Sequence, residues 1–359
     1  MDLIAEQIVL EAIKKGFQVY GLSEHCPRYR TKDLYPEESH SSPQELNKTF
    51  IDYVIEAQRL QNKYKSQIIL LIGVESENIY SNSIFEILQL AKDHSIEYCV
   101  GSVHHVYEIP IDFDLKTFEI ALEKACEKNN LPSSSSMEEN LFNSYFDLQF
   151  HLFKSIKPMI IGHFDVIRKF KQDFQLTDSN WEKIERNIDF VISYGGLFEI
   201  NSAAYKVGLR DAYPQRDILK LIIRKGGRFT ISDDSHGKNS VGQHYDKLYS
   251  YLKEFNIDIL YYLDHSGEDD KQLVVKEMRN VKTPYIFELR YAKEFAEHRK
   301  KCNRFPADVE FRIRTYEEYY ITHDWIDSKK NQLRERLWDY VKELLRERGY
   351  KIVDDRLGI

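Results

Sequence analysis

The sequence has few cysteines: Cys26, Cys99, Cys126 and Cys302, scattered and without a CxxC pair. That excludes a disulfide framework and suits a reducing compartment. It lacks any uninterrupted apolar run near the ~18 residues a membrane helix needs, so no membrane association is expected. Its opening, MDLIAEQIVLEAIKKGF, is too acidic for a signal or transit peptide and reads as an amphipathic helix, which leaves the cytoplasm as the default location. It has no surplus of positive charge: a net charge of −7 argues against binding a phosphate backbone, so no nucleic-acid partner is expected. An internal repeat and a Gly-rich phosphate turn are also missing. What remains is a globular composition, 42% hydrophobic and 30% charged, enough for one large α/β domain of roughly 250–300 residues plus an extension.

The chain alternates helical and apolar strand segments. Leu3, Ile4, Ile8, Ala12 and Ile13 share a helical face that Gly16 closes, and FQVYGLSEH (17–25) then reads as a strand. The Ser-Pro start at 42–43 opens a helix, SQIILLIGVESE (66–77) is a strand, and NSIFEILQLAKDH is a helix before the strand IEYCVGSVHH (96–105). LPSSSSMEEN reads as a surface loop. Helices over 138–155, 178–194 and 215–225 precede the strands KPMIIGHFD, GGLFEINSAA and GGRFTISDDSHG, and IDILYYL (257–263) is expected to close the set. Near-continuous apolar strands alternating with helices predict a parallel sheet covered by helices.

Polar residues gather at the strand ends: Glu24 and His25, Glu75 and Glu77, His104 and His105, His163 and Asp165, Glu199 and Asn201, Asp234 and His236. In a closed (β/α) barrel these ends converge on one mouth, whereas an open doubly wound sheet would spread them along an edge. The barrel is therefore the predicted fold. Imidazole with carboxylate suits zinc, iron or manganese. Asp234 and His236, two apart on an extended segment, should share a face, with Asp233 turned away to cap the following turn. Each ending alone is compatible with a satisfied core histidine or a solvated strand end; six on successive strands are harder to treat as independent.

The phrases LSEHCPR, LIGVESE, CVGSVHHVYEIPIDFD, IGHFD, EINSAA and ISDDSHG resemble, in order and rough spacing, the polymerase and histidinol phosphatase (PHP) superfamily; GSVHH…IPIDFD and YPEE resemble its histidinol-phosphatase branch, in its fungal form. The likeness covers residues 1–285 and leaves 286–359 as a mostly helical extension of unknown role. It implies a distorted seven-stranded (β/α) barrel, a TIM-like fold, that binds up to three divalent metals and hydrolyses phosphate monoesters, here L-histidinol phosphate to L-histidinol in histidine biosynthesis. By the same likeness Glu75 would bridge two metals, His104 and His163 would complete one site, Asp234 would reach the other, and His25 and His236 would serve a third. Glu75, His104 and Asp234 would thus carry the catalysis. His105 and Asp165 would lie behind the ligands. Arg28 matches one phosphate-binding arginine, and Lys206 stands where the family has a second, with Arg210 close by. Glu24, Glu77 and Glu199 are candidates for an acidic mouth that suits the substrate amine.

One departure stands out. The family opens with a strand bearing His-x-His, and the first histidine here is His25. The barrel should then lack its first strand and hold fewer than three metals. A start site placed too late, a truncated inactive product, and a strand supplied by residues 286–359 all account for this. The first is preferred because everything downstream reads as an intact site, and the last has only the lone His298 and His323 to offer. A binding module without activity, and a phosphoesterase of another small phosphate ester, stay open as alternatives.

Overall fold

The computed structural model describes residues 2–129, 136–267 and 270–279. The proposed boundary at 285, the 286–359 extension and most of the LPSSSS loop lie outside these residues. Elements follow in the order α1 (Asp2–Lys15), β1 (Val19–His25), α2 (Pro43–Tyr64), β2 (Ile69–Glu75), α3 (Ser83–Asp93), β3 (Tyr98–Gly101), β4 (His105–Val106), β5 (Ile109–Pro110), α4 (Leu115–Asn129), α5 (Met137–Ile156), β6 (Ile160–Ile161), α6 (Asp178–Tyr194), β7 (Leu197–Asn201), α7 (Arg216–Lys225), β8 (Arg228–Ser232), α8 (Tyr245–Glu254), β9 (Ile259–Gly267) and β10 (Asp270–Arg279). None of the described helices is long and apolar enough to cross a membrane.

Local chemistry sets the helix starts. Ser42 and Glu45 form a capping box ahead of α2, with Pro43 at its first position, and Thr177 with Asn180 does the same for α6. Helices α4 to α7 pack over the sheet through Phe118, Phe142, Phe146, Ile184 and Ile222, which share one buried cluster with Phe164 and Phe198. Helix α4, which follows IDFD, is a helix that the periodicity of the sequence did not announce.

β1, β2, β3, β6, β7 and β8 form one parallel sheet in that order. The sheet curls into a half-barrel, because the Tyr20 hydroxyl on β1 comes within 3.0 Å of Asp233, just past β8. Among the described residues no strand joins β1 to β8. Burial follows position. All of β7 and all of β2 after Ile69 are buried, whereas β1 exposes Gly21, Ser23 and Glu24, and β8 buries only Phe229. Gly21 and Gly73 are both needed inside the curl: the Tyr98 ring occupies the space that a Cβ at either position would take.

The apolar run at 257–263 does not close the barrel. It begins β9, which pairs antiparallel with β10 in a hairpin. Leu263 and Leu273 of that hairpin bury against Leu71, Tyr98, Val100 and Leu197. His265 Nε2 lies 2.8 Å from Glu97, whose carboxylate also accepts from the Ile72 N–H at 2.6 Å. Two buried leucines, at about 2 kcal/mol each, outweigh that one contact at about 1 kcal/mol, so packing holds the hairpin in place. A short apolar run reads the same whether it is a parallel barrel strand or half of a plugging hairpin.

Candidate metal centre

Parallel register brings the strand ends level. His25 pairs with Glu75, Glu75 with Val100, Gly101 with Ile161, Ile161 with Phe198, and Asn201 with Ser232. Residues at or just past these positions therefore open onto one mouth.

Glu75 lies at its centre. Oε1 is 3.1 Å from His163 Nε2 and 3.3 Å from His104 Nε2, and the two nitrogens are 3.2 Å apart. Oε2 faces His25 Nε2 at 3.6 Å. Ligands at tetrahedral zinc, with bonds of ~2.0–2.1 Å, stand about 3.4 Å from one another, so this triangle has the dimensions of a ligand shell. His25, Glu75 and His104 likewise place one donor atom each within 4.8 Å of one another. The donor set fits a divalent ion.

The charges agree with this arrangement. Burial opposes charge on His104, but Glu77 and Glu75 outweigh it and hold its pKa well above the usual imidazole range. Burial likewise opposes charge on His25, and Glu75 and Glu77 raise it to about 9. Against their own burial, Glu75 and Glu77 are held well below the ordinary carboxylate range by the facing imidazoles.

A model of the PHP domain matches residues 4–203. The chain belongs to the PHP family. The chain is 43% identical over 278 residues, 76% of its length and 88% of the other, to a Schizosaccharomyces pombe protein named "Probable histidinol-phosphatase". It is 30% identical over 311 residues, again 76% of this chain and 90% of the other, to the Saccharomyces cerevisiae "Histidinol-phosphatase". A solved structure from Listeria monocytogenes shares the fold, with a TM-score of 0.52 at 19% identity, covering 68% of this chain and 93% of that one.

Around the PHP mouth, Glu77 is buried and within reach of three imidazoles: 2.9 Å from His25 Nδ1, 3.4 Å from His104 Nδ1 and 3.6 Å from His105 Nδ1. The first of these is close but not aligned for a hydrogen bond, so Glu77 acts on His25 mainly through charge. Glu199 accepts from the His163 N–H at 2.6 Å and from the Asn201 amide at 3.2 Å, and Asn201 reaches on to Asp234 Oδ2 at 3.3 Å.

Several expected partners stand elsewhere. Asp165 is fully buried and accepts from the Gln215 N–H at 3.0 Å, and burial pushes its carboxyl up to about 7. Arg28 is buried between carboxylates, its Nη1 3.3 Å from Glu77 and its Nε 3.0 Å from Glu38, which a second nitrogen also contacts. Glu38 was not singled out from the sequence; the signal was there, since an arginine buried near a site needs a counter-carboxylate and YPEE follows closely. Lys206 and Arg210 are exposed, as is Glu24. Asp234 and His236 do come together, His236 Nδ1 lying 3.7 Å from Asp234 Oδ1, but not on the extended segment expected. The strand ends at Ser232, and Asp234 has φ 47°, which breaks the extended chain on which the two-residue period rests. His236 is 66% exposed at its side chain, with Nδ1 3.0 Å from the Asp234 carbonyl and its ring centroid 6.4 Å from that of His25.

Proposed function

We propose that this chain is a metal-dependent phosphate monoester hydrolase that converts L-histidinol phosphate to L-histidinol and phosphate, a cytoplasmic step of histidine biosynthesis. The observation that carries the reading is Glu75, which meets three imidazoles at one barrel mouth in a PHP domain whose fungal relatives bear the histidinol-phosphatase name. Zinc, manganese and iron suit these donors. His104, His163 and Glu75 Oε1 would hold one ion, and His25 with Glu75 Oε2 a second, towards which Asp234 and His236 are the further candidates. Bound ions supply Lewis-acid charge to the phosphoryl oxygens and acidify water.

The protein's own groups position and discriminate. Glu199 fixes the His163 backbone and the Asn201 amide together. Arg28, paired on both sides, steadies Glu77, because leaving buried Glu77 and half-buried Glu38 to meet a phosphate would strand their charge. Lys206, exposed beyond β7, offers the phosphate a point charge. Of the three acids, Glu77 and Glu199 are buried, so Glu24 is the one a substrate ammonium can meet.

Phosphate release from L-histidinol phosphate by the full chain, with added manganese or zinc, tests the reading. Turnover that His104→Ala abolishes is the expected result. Inertness with both ions, or turnover indifferent to that substitution, would overturn it.

A further inference from the structure

β1 and β8 are free edges of the sheet, yet side chains join them. The Tyr20 hydroxyl on β1 lies 3.0 Å from each carboxylate oxygen of Asp233 and 2.7 Å from Ser235 Oγ. Asp233 is 5% exposed. Its carboxylate also accepts from the Gly242 N–H at 2.6 Å, which is the turn cap expected of it, and its carbonyl accepts from the Gln243 amide at 3.1 Å. Phe17 stands edge-on to both Tyr20 and Tyr245, at 5.2 and 6.0 Å between ring centroids, and Lys15 Nζ donates to the Val241 carbonyl at 2.5 Å. α1 and β1 are thus fastened across the open side of the half-barrel to the loop between β8 and α8.

That loop carries Asp234 and His236. β8 is an edge strand among the described residues and ends at Ser232, whose Oγ accepts from the Asp234 N–H at 3.1 Å. Asp234 takes a left-handed φ of 47°, a conformation that a non-glycine residue keeps only when its surroundings impose it. The surroundings here are Asp233, anchored by Tyr20, on one side and Asn201, 3.3 Å from Asp234 Oδ2, on the other. We propose that the Tyr20–Asp233 staple positions Asp234 as a ligand for an ion on the open side of the mouth, so that Tyr20 and Asp233 are positioning residues of the metal centre. This rests on the reading that the mouth binds divalent ions; it does not depend on the substrate.

Zinc titration of the metal-free full chain by calorimetry tests it, with wild type, Tyr20→Phe, Asp234→Asn and the double variant. Tyr20→Phe removes one oxygen and keeps the ring against Phe17, and Asp233→Asn, which keeps an acceptor for Gly242, serves as a second variant. The weaker class of zinc sites should lose about tenfold in affinity in Tyr20→Phe, as for other residues that orient ligands. The double variant should be no worse than Asp234→Asn, and the tighter class should not change. Wild-type binding by both Tyr20→Phe and Asp233→Asn would overturn the proposal. So would losses that multiply in the double variant, equal losses in both classes, or a wild type with one class indifferent to Asp234→Asn. A chain that titrates as expected but leaves histidinol phosphate intact would refute the substrate and keep the staple.

Discussion

Glu75, His104 and His163 stand on or just beyond strands paired on both sides, whereas His25, Asp234 and His236 stand at the two free edges of the sheet. The first three have side chains 12%, 4% and 8% exposed; the last three are 31%, 30% and 66% exposed. The difference shows where rigidity comes from. A ligand on a doubly paired strand inherits its position from two backbone ladders. A ligand at an edge must be held by side chains reaching across the opening. The closed half should therefore bind an ion in a preorganised geometry, and the open half should depend on its supports.

The substitution that should separate the halves most is Glu75→Gln, which removes the charge that both halves share. Ligands matter at least as much as the groups behind them, so zinc affinity and turnover should each fall by at least about 100-fold. A loss confined to one class of zinc site would break the comparison by showing that the carboxylate serves one half alone.

A smaller effect should appear in the pH dependence of the metal-free chain. His25 is raised to about 9 by Glu75 and Glu77, from about 6.5 when unfolded. The stability this contributes is complete below pH ~6.5 and is lost as pH rises through about 9. Thermal melts from pH 6.5 to 9 should show a decline that His25→Ala flattens, and partial exposure of the ring keeps it modest. Saturating zinc should also flatten it, because a metal ligand is a deprotonated imidazole. A decline that persists in His25→Ala would place its origin in the closed half.

The smallest effect should come from His236→Ala. An imidazole that is two-thirds exposed, held only near the Asp234 carbonyl and, at 3.7 Å, its carboxylate, is the least supported of the candidate ligands, and its loss should cost less than about threefold in zinc affinity and leave the melting temperature unchanged. A loss comparable to that of Asp234→Asn would make His236 a ligand in its own right and the open half better built than its exposure suggests.

The closed half was the legible half. Buried parallel strands announce themselves as apolar runs, and their register makes the first polar residue after each run a site residue, which is how Glu75, His104 and His163 could be found. The open half was read less well because its geometry depends on a single backbone angle. The left-handed turn at Asp234 is invisible in ISDDSHG, so the spacing to His236 shows that the two side chains meet but not the backbone that brings them together. HFD places Asp165 two residues from His163 but does not show its partner: the chain turns into a short 3-10 helix at Val166–Arg168, and the carboxyl accepts from the Gln215 N–H. The Tyr20–Asp233 contact joins residues 213 apart, a relation that no local pattern encodes.

The most direct test of the central claim is anomalous diffraction from crystals of the full chain soaked in zinc or manganese. The account predicts a strong peak within bonding distance of Glu75 Oε1, His104 Nε2 and His163 Nε2, and a second, weaker one beside His25 and Asp234. An ordered mouth with no peak, or ions bound only at surface carboxylates away from Glu75, would contradict it.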